Sequence, residues 1–249
     1  MWQVRSRLST PGALHQAMIR EHFQFRQTVT TILADQLDHI EAAKQAIMDA
    51  RQVIEMVVSA DPFFLSTFDP YDPGFYDPVI RRMVDAAYEA DVGPMAAVAG
   101  TIAWSGVEAM QEAGALFGVV DNGGDIALFS DRTLRIGIYS GTGSKRAYLI
   151  PPVEEICGVC TSSATIGHSI SLGSADAVTV FSSHVSGADA WATALCNKLT
   201  PDDLSAFDTL AGSSARGAVA IFSDTLYSFG SVPEIVPARV DFGLITRGI

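Results

Sequence analysis

The sequence predicts an α+β fold, with helices packed against a mostly antiparallel sheet. From Asp35 to Ser59 no Gly or Pro occurs, apolar residues recur at helical spacing, and two further helical patterns follow. After Gly114 the chain turns to short apolar runs typical of strands, interrupted by one helix. Helices grouped ahead of strands are typical of α+β proteins. Because no linker, repeat or low-complexity tract occurs, residues 1–249 are predicted to form a single domain.

The first elements are a strand and a long helix. Residues 23–34 alternate in polarity and are rich in aromatic and β-branched side chains, which predicts one strand. The helix over 35–59 follows, and Asp61 with Pro62 ends it. Its apolar face is predicted to consist of Ile40, Ala43, Ile47, Ala50, Ile54 and Val57.

Residues 61–78 are predicted to form an ordered but irregular segment, because proline and glycine interrupt it repeatedly. Its aromatic side chains either belong to the core or stack on a planar ligand ring as the wall of a cleft. They are Phe63, Phe64, Phe68 and Tyr71.

Two helices are predicted next, over 78–91 and from Pro94 to about Gly114. Pro78 suits the first turn of the earlier helix. The later helix is rich in Ala and Gly, so neighbouring backbones can approach it closely, and it is a candidate interface for a homodimer.

The second half of the chain is predicted to be a strand meander with a late helix at 187–199 and a short helix at 201–211. The predicted strands are 116–120, 126–129, 134–140, 147–150, 177–181, 218–222 and 226–230.

Composition restricts the partners and the compartment. The formal net charge is −12 with only 16 Lys and Arg, which argues against nucleic acid, because binding it needs clustered basic residues. The N-terminus lacks the apolar region of a secretory signal, and the most apolar stretch, 92–107, is too short to span a membrane. Three cysteines cannot form a disulfide framework. We therefore expect a cytoplasmic protein that binds neither nucleic acid nor membrane.

The first candidate site is "DNGGD", residues 121–125. Asn122 and Gly123 between two apolar runs predict a tight hairpin, because both central residues of a type I′ turn need positive φ. The same geometry leaves the backbone at Gly123 and Gly124 open to a phosphate or a cation, beside Asp125. A plain hairpin and a binding loop both remain compatible with the sequence.

The second candidate site is "CGVCTSSATIGHSISLG", residues 157–173. Its two cysteines lack the helix that follows a redox CxxC motif, and no further ligands occur at a spacing typical of a zinc site. A serine nucleophile is not indicated either, because no GxSxG elbow is present. A cleft-lining stretch explains its hydroxyl groups, its glycine and its histidine better, and a solvated strand edge is the alternative. The predicted ligand-binding residues here are Thr161, Ser162, Ser163, Gly167 and His168.

The third candidate site is "SGADAWATAL", residues 186–195. On a helix Asp189 and Thr193 lie on one face, so a carboxylate and a hydroxyl can share a hard cation such as Mg²⁺. The alternative is a capping box, in which Ser186 and Asp189 satisfy the first amide groups of their own helix.

These three stretches, in this order, resemble the landmarks of the ApbE-like superfamily, which includes the FAD:protein FMN transferases. Together with "VGPMAAVAGTIA", they resemble more closely a separate family of ApbE-like proteins of archaea and bacteria, over about residues 60–200. The resemblance implies a compact α+β domain with a flavin- or nucleotide-sized cleft between helices and sheet. It also implies FAD or FMN as ligand and Mg²⁺ held by Asp189, Thr193 and the main-chain carbonyl of Asn122 or its neighbour.

The sequence also departs from the flavin transferases. They carry a longer insertion with an H-I-x-D-P-x-T-G motif after their T-S-G element, whereas "TSSATIGHSISLG" here runs almost directly into a strand. We therefore predict a protein that binds a phosphate-bearing, flavin- or nucleotide-like small molecule. It acts as a Mg²⁺-dependent transferase or hydrolase with His168 in acid–base work. The alternative function is a non-catalytic cofactor- or metabolite-binding protein.

Overall fold

The computed structural model describes residues 18–138, 145–163 and 174–238. The five α-helices of this part of the chain are α1 (Leu37–Ala60), α2 (Phe63–Ser66), α3 (Pro78–Ala90), α4 (Val98–Glu112) and α5 (Val185–Lys198). Two 3₁₀ turns cover Pro94–Ala97 and Ser205–Leu210. The strands are β1 (Ile19–Phe25), β2 (Thr28–Ala34), β3 (Phe117–Asn122), β4 (Asp125–Ser130), β5 (Leu134–Gly137), β6 (Arg146–Ile150), β7 (Val153–Ser162), β8 (Ala177–Ser182), β9 (Ala215–Phe222), β10 (Thr225–Gly230) and β11 (Glu234–Pro237).

An eight-stranded sheet forms the centre of the fold, in the order β1-β2-β3-β4-β7-β8-β9-β10. A second sheet has the order β11-β6-β5, and the pairings in both sheets are antiparallel. The helices pack on one face of the large sheet, and the small sheet covers part of the other face. The prediction of an α+β fold with a mostly antiparallel sheet is confirmed.

Alternation along each central strand divides the core into two layers. Val120 and Phe129 belong to the helix-side layer, whereas Phe117, Leu128 and Phe181 belong to the layer beneath the small sheet. Successive side chains of a strand point to opposite faces, so residues one position apart reach different layers. This division decides which candidate residues can meet.

The predicted long helix is confirmed as α1, and all six residues of its predicted apolar face are buried. Helix α3 begins at Pro78, as expected, and the Asp77 side chain accepts a hydrogen bond from the Val79 amide at 2.8 Å. The missing amide hydrogen of Pro78 costs nothing at the first helical position.

The prediction of one strand over 23–34 is wrong, because two strands form a hairpin there. Phe25 pairs with Thr28, and the turn between them places Arg26 in the left-handed region, with φ of 55°. Arg is uncommon in this conformation, so the sequence lacks the Gly or Asn that would have indicated the turn.

The irregular segment 61–78 divides its aromatic residues between core and surface. Phe64 is fully buried, whereas Phe63 and Phe68 are more than half exposed. The Tyr71 hydroxyl donates to Asp61 at 2.6 Å, and its ring meets Phe63 edge to face with centroids 4.9 Å apart. Phe64 therefore serves as core, and the exposed rings remain available to a ligand.

Helix α4 is enclosed by its own chain. It packs against α1, α3, α5 and the central strands β3 and β4, and Gly100, Ala103 and Gly106 are buried. The small residues thus serve packing within one chain. The composition of α4 was the reason to expect a homodimer interface, and this packing removes that reason.

Among the described residues, none of the helices combines the length and the apolarity that crossing a membrane requires. The three cysteines have free thiols.

Candidate functional site

The glycine turn at 123–124 joins β3 to β4 as a hairpin, one position later than the sequence suggested. Asn122 pairs with Asp125, so Gly123 and Gly124 are the central residues, with φ of 70° and 108°. Both values lie in the region that glycine adopts without strain. The Gly124 amide donates to the Asp121 side chain at 2.9 Å, so this N–H is already bonded within the turn.

Asn122 and Asp125 lie on the helix side of the sheet. Their side chains point to the same face of the sheet as those of Val120, Ala127 and Phe129, which belong to the helix-side core. The Asn122 amide donates to the Ala99 carbonyl at 3.1 Å. The glycine turn is therefore attached to the first turn of α4.

Asp189 reaches the same turn of α4 from helix α5. It is only 7% exposed, and its Oδ2 accepts a hydrogen bond from the Gly100 amide at 2.7 Å. A Cβ added at Gly100 would lie 2.8 Å from the Asp189 Cβ. Because Gly100 has no side chain, α4 and α5 can approach each other this closely. The first amides of a helix lack partners within it, and the Asp189 carboxylate satisfies one of them in α4.

The capping-box interpretation of Ser186 and Asp189 is wrong. Helix α5 begins at Val185, and His184 is its N-cap, with Nδ1 accepting from the Gly187 amide at 3.1 Å. Ser186 instead accepts a hydrogen bond from Thr101 of α4 at 2.8 Å. Asp189 thus joins two helices and does not cap its own, and a histidine cap gave no recognisable signal in the sequence.

Residues 157–162 belong to β7, an interior strand paired with β4 and β8, so this part of the predicted cleft-lining stretch is regular strand. Because successive side chains of β7 point to opposite faces of the sheet, its predicted site residues do not all lie on one face. The Thr161 hydroxyl lies 2.9 Å from that of Thr179, on the face away from the helices, whereas Cys160 and Ser162 share the helix-side alternation. Ser163 follows the strand, and Gly167 and His168 lie outside the described residues.

The two cysteines of the CxxC motif point to opposite faces of the sheet. Cys160 is buried in the helix-side core, whereas Cys157 packs against the layer beneath the small sheet. Burial raises the pKa of Cys157 to about 11, and it raises the pKa of Cys160 together with the negative charge of Asp125 and Asp189. Both groups are therefore neutral thiols that do not act as a redox pair.

The carboxyl groups of Asp189 and Asp125 lie near each other in a part of the site where burial removes water from both. Burial raises the pKa of Asp189 to about 7, against hydrogen bonds from the Gly100 and Ala99 amides. Burial also raises the pKa of Asp125, and the negative charge of Asp189 and then of Asp121 raises it further. Within the described ranges no Lys or Arg forms an ion pair with either group. Such an environment favours an added cation.

The oxygen donors here suit Mg²⁺ better than a softer metal. Thr193 follows Asp189 by one turn on the same face of α5 and is half-buried. No group of three or more His, Cys, Asp or Glu side chains in the described residues is arranged to hold a metal ion. Mg²⁺ commonly uses one or two carboxylates and completes its shell with water and substrate phosphates, so Asp189 and Thr193 fit it.

We expect the metal-free protein to lose stability as pH rises from about 4 to about 7. The folded protein keeps a proton on Asp189 at a pH where the unfolded chain, with a pKa of 3.8, has released it. A folded pKa near 7 corresponds to a loss of about 4 kcal/mol in the free energy of unfolding across this range.

Urea unfolding in EDTA at a series of pH values measures this effect. Asp189→Asn cannot ionise there and should make the profile less steep, and the slope that remains should come from Asp125, whose pKa burial also raises. A wild-type profile that rises across this range, or one that the substitution leaves unchanged, would contradict the expectation.

Two solved structures that share the fold of this chain are named flavin transferases. The chain is similar to a mutant of the flavin transferase ApbE from Vibrio cholerae, with 13% identity, a TM-score of 0.58 and coverage of 86% of this chain and 97% of that one. It is also similar to the apo form of the flavinyl transferase ApbE from Pseudomonas stutzeri, with 14% identity, a TM-score of 0.53 and coverage of 88% and 97%. The protein therefore has the ApbE fold.

The chain belongs to the family described as AbpE bacteria, whose model matches residues 12–211. A UPF0280 protein of Methanosphaerula palustris is 58% identical over 234 residues, covering 93% of this chain and 99% of its own. Another from Methanoculleus marisnigri is 57% identical, covering 93% of this chain and 96% of its own. The predicted relationship to ApbE-like proteins is confirmed.

Proposed function

We propose that the protein binds FAD or FMN at the junction of the glycine turn, α4 and α5, together with a Mg²⁺ ion that Asp189 would help to hold. The observation that carries the proposal is the meeting of Asp189 and Asp125 beside the start of α4, where neither carboxyl has a cationic partner among the described residues. The solved structures of the same fold are named flavin transferases, which supports a flavin as ligand.

Asp189 and Thr193 would hold the Mg²⁺, with the main-chain carbonyl of Asn122 or its neighbour as a further ligand. The bound ion supplies positive charge to phosphate oxygens. Asn122 fixes the glycine turn to α4 through the Ala99 carbonyl, and Gly100 lets Asp189 approach the same turn. The Gly124 amide is already hydrogen-bonded to Asp121 and so would not bind the phosphate. Gly124 would contribute to the site by having no side chain, which leaves room for the ligand.

The proposed reaction is transfer of the FMN part of FAD to a hydroxyl group. The hydroxyl oxygen bonds to the flavin-bearing phosphorus, the bond to the AMP oxygen breaks, and the hydroxyl proton is released. Water as acceptor gives FMN and AMP, whereas a protein Ser or Thr gives an FMN ester and AMP. His168 is the sequence's candidate for moving the proton.

Titration with FAD and FMN, followed by flavin fluorescence in Mg²⁺ and in EDTA, tests the proposal. We expect saturable binding that is at least about tenfold tighter with Mg²⁺, because the cation would offset the negative charge of the carboxylates and of the phosphates. Release of AMP from FAD, measured by chromatography, separates an enzyme from the alternative of a binding protein. Absence of binding to both flavins with and without Mg²⁺ would overturn the proposal.

A further inference from the structure

A cavity lies on the face of the large sheet opposite the helices, where the small sheet covers the large sheet incompletely. Its volume is about 490 Å³. Most of its wall is apolar and comes from both sheets and from the turn before β11; representative residues are Leu149, Ile150, Val153, Val159, Phe181 and Val232. Protein interiors are normally filled to the density of organic crystals, and a cavity of this size matches sites for small molecules.

The large sheet separates this cavity from the candidate flavin site. Cys157 and Val159 line the cavity, whereas Cys160 lies in the helix-side core with Asp125 and Asp189 near it. Gly158 has no side chain, and a Cβ there would meet Val185 of α5 at 2.9 Å, so β7 lies directly against that helix. A ligand in the cavity would therefore contact neither carboxyl of the flavin site.

Arg216 brings a positive charge to the wall of the cavity. Among the described lining residues, Arg216 is the sole cation and Glu234 the sole carboxylate, and Glu234 is exposed. Arg216 lowers the pKa of Cys157 against the effect of burial, so its charge reaches the interior of the cavity. Its ion pair with Glu155 is long, at 3.9 Å, and both side chains are more than half exposed. Such a pair contributes little, so the guanidinium can bind a carboxylate instead.

We propose that this cavity binds a small organic acid, with its apolar body between the two sheets and its carboxylate on Arg216. The wall supplies the burial that an aliphatic or aromatic body needs, and the guanidinium supplies the one specific contact for the acid group. Cys157, which is less buried than Cys160 and Cys196, gives the site a thiol that can report on a bound ligand. The site is independent of Mg²⁺ and of the proposed flavin function.

Calorimetric titration of the whole protein with decanoate, in EDTA, tests the proposal, with decanol as the matched uncharged ligand. We expect saturable binding of decanoate and at least tenfold weaker binding of decanol. Arg216→Gln should weaken decanoate binding about tenfold. Arg135→Gln removes the same charge from an exposed position on β5 outside the cavity and should leave binding unchanged.

Alkylation of the wild-type protein keeps the test decisive if a variant folds poorly. Peptide mass spectrometry after N-ethylmaleimide treatment reports Cys157 separately from the buried Cys160 and Cys196. Decanoate should slow the labelling of Cys157 at least severalfold. No saturable binding of decanoate, equal binding in Arg216→Gln and Arg135→Gln, or unchanged labelling of Cys157 would each overturn the proposal.

Discussion

Asp189→Asn is expected to weaken Mg²⁺-dependent binding of FAD by about 100-fold. Loss of a residue that only supports a metal ligand costs about 10–100-fold in affinity, so loss of the charged ligand itself should reach the upper end. Asn keeps the shape of Asp, and its amide oxygen can still accept the hydrogen bond from Gly100. The substitution therefore removes the charge while it retains the contact between α4 and α5.

This substitution separates the metal function of Asp189 from a purely structural function. As an acceptor for the first turn of α4, Asp189 would be replaced adequately by Asn, and FAD binding would keep its dependence on Mg²⁺. Calorimetric titration with FAD, in Mg²⁺ and in EDTA, measures the difference. Asp202→Asn changes an exposed carboxylate and is the matched control. Equal affinities of the wild type and Asp189→Asn in Mg²⁺ would refute the metal function.

Periodicity predicted those elements in which one face is buried and the other is not. The apolar stripe of α1 recurs every three or four residues because that face alone packs on the sheet, so its burial could be read from spacing. Pro78 was equally informative, and the Asn122–Gly123 pair located the hairpin to within one position, because the backbone preferences of proline and glycine are local.

Elements without a local signal were missed. The hairpin turn at Arg26 uses a residue that rarely adopts positive φ, and only pairing between β1 and β2 holds it there. The hydroxyl residues at the end of β7 indicated a stretch that lines a ligand cleft. This part of the stretch is an interior strand, since β4 and β8 satisfy its backbone on both edges.

The candidate site depends on contacts that sequence spacing does not encode. Gly100 and Asp189 are 89 residues apart, yet one hydrogen bond joins them. The small residues of α4 indicated that another backbone approaches this helix, but not that α5 is the element that does so. Alternation then explains why Asn122 and Asp125 face the helices while Thr161 does not, a distinction that requires the limits of each strand.

Gly93→Ala is expected to destabilise the protein by about 3 kcal/mol, the upper end for an added methyl group in a packed interior. Gly93 is buried and has an ordinary φ of −67°, so its backbone conformation suits any residue. A Cβ there would overlap the backbone carbonyl oxygen of Thr67 and lie 3.1 Å from the Phe68 Cα. Neither backbone atom can rotate away, so the segment after α2 must separate from the 3₁₀ turn Pro94–Ala97.

Gly74→Ala is the matched control, because nothing lies within 4 Å of the added Cβ and only the positive φ of 74° is disfavoured. It should cost about 1 kcal/mol. Urea unfolding measures both variants, and equal losses would show that the segment yields without strain. The 3₁₀ turn leads directly into the part of α4 that holds Asn122 and Asp189, so displacing it should also weaken FAD binding. Gly74→Ala, which leaves that turn in place, should bind FAD as the wild type does.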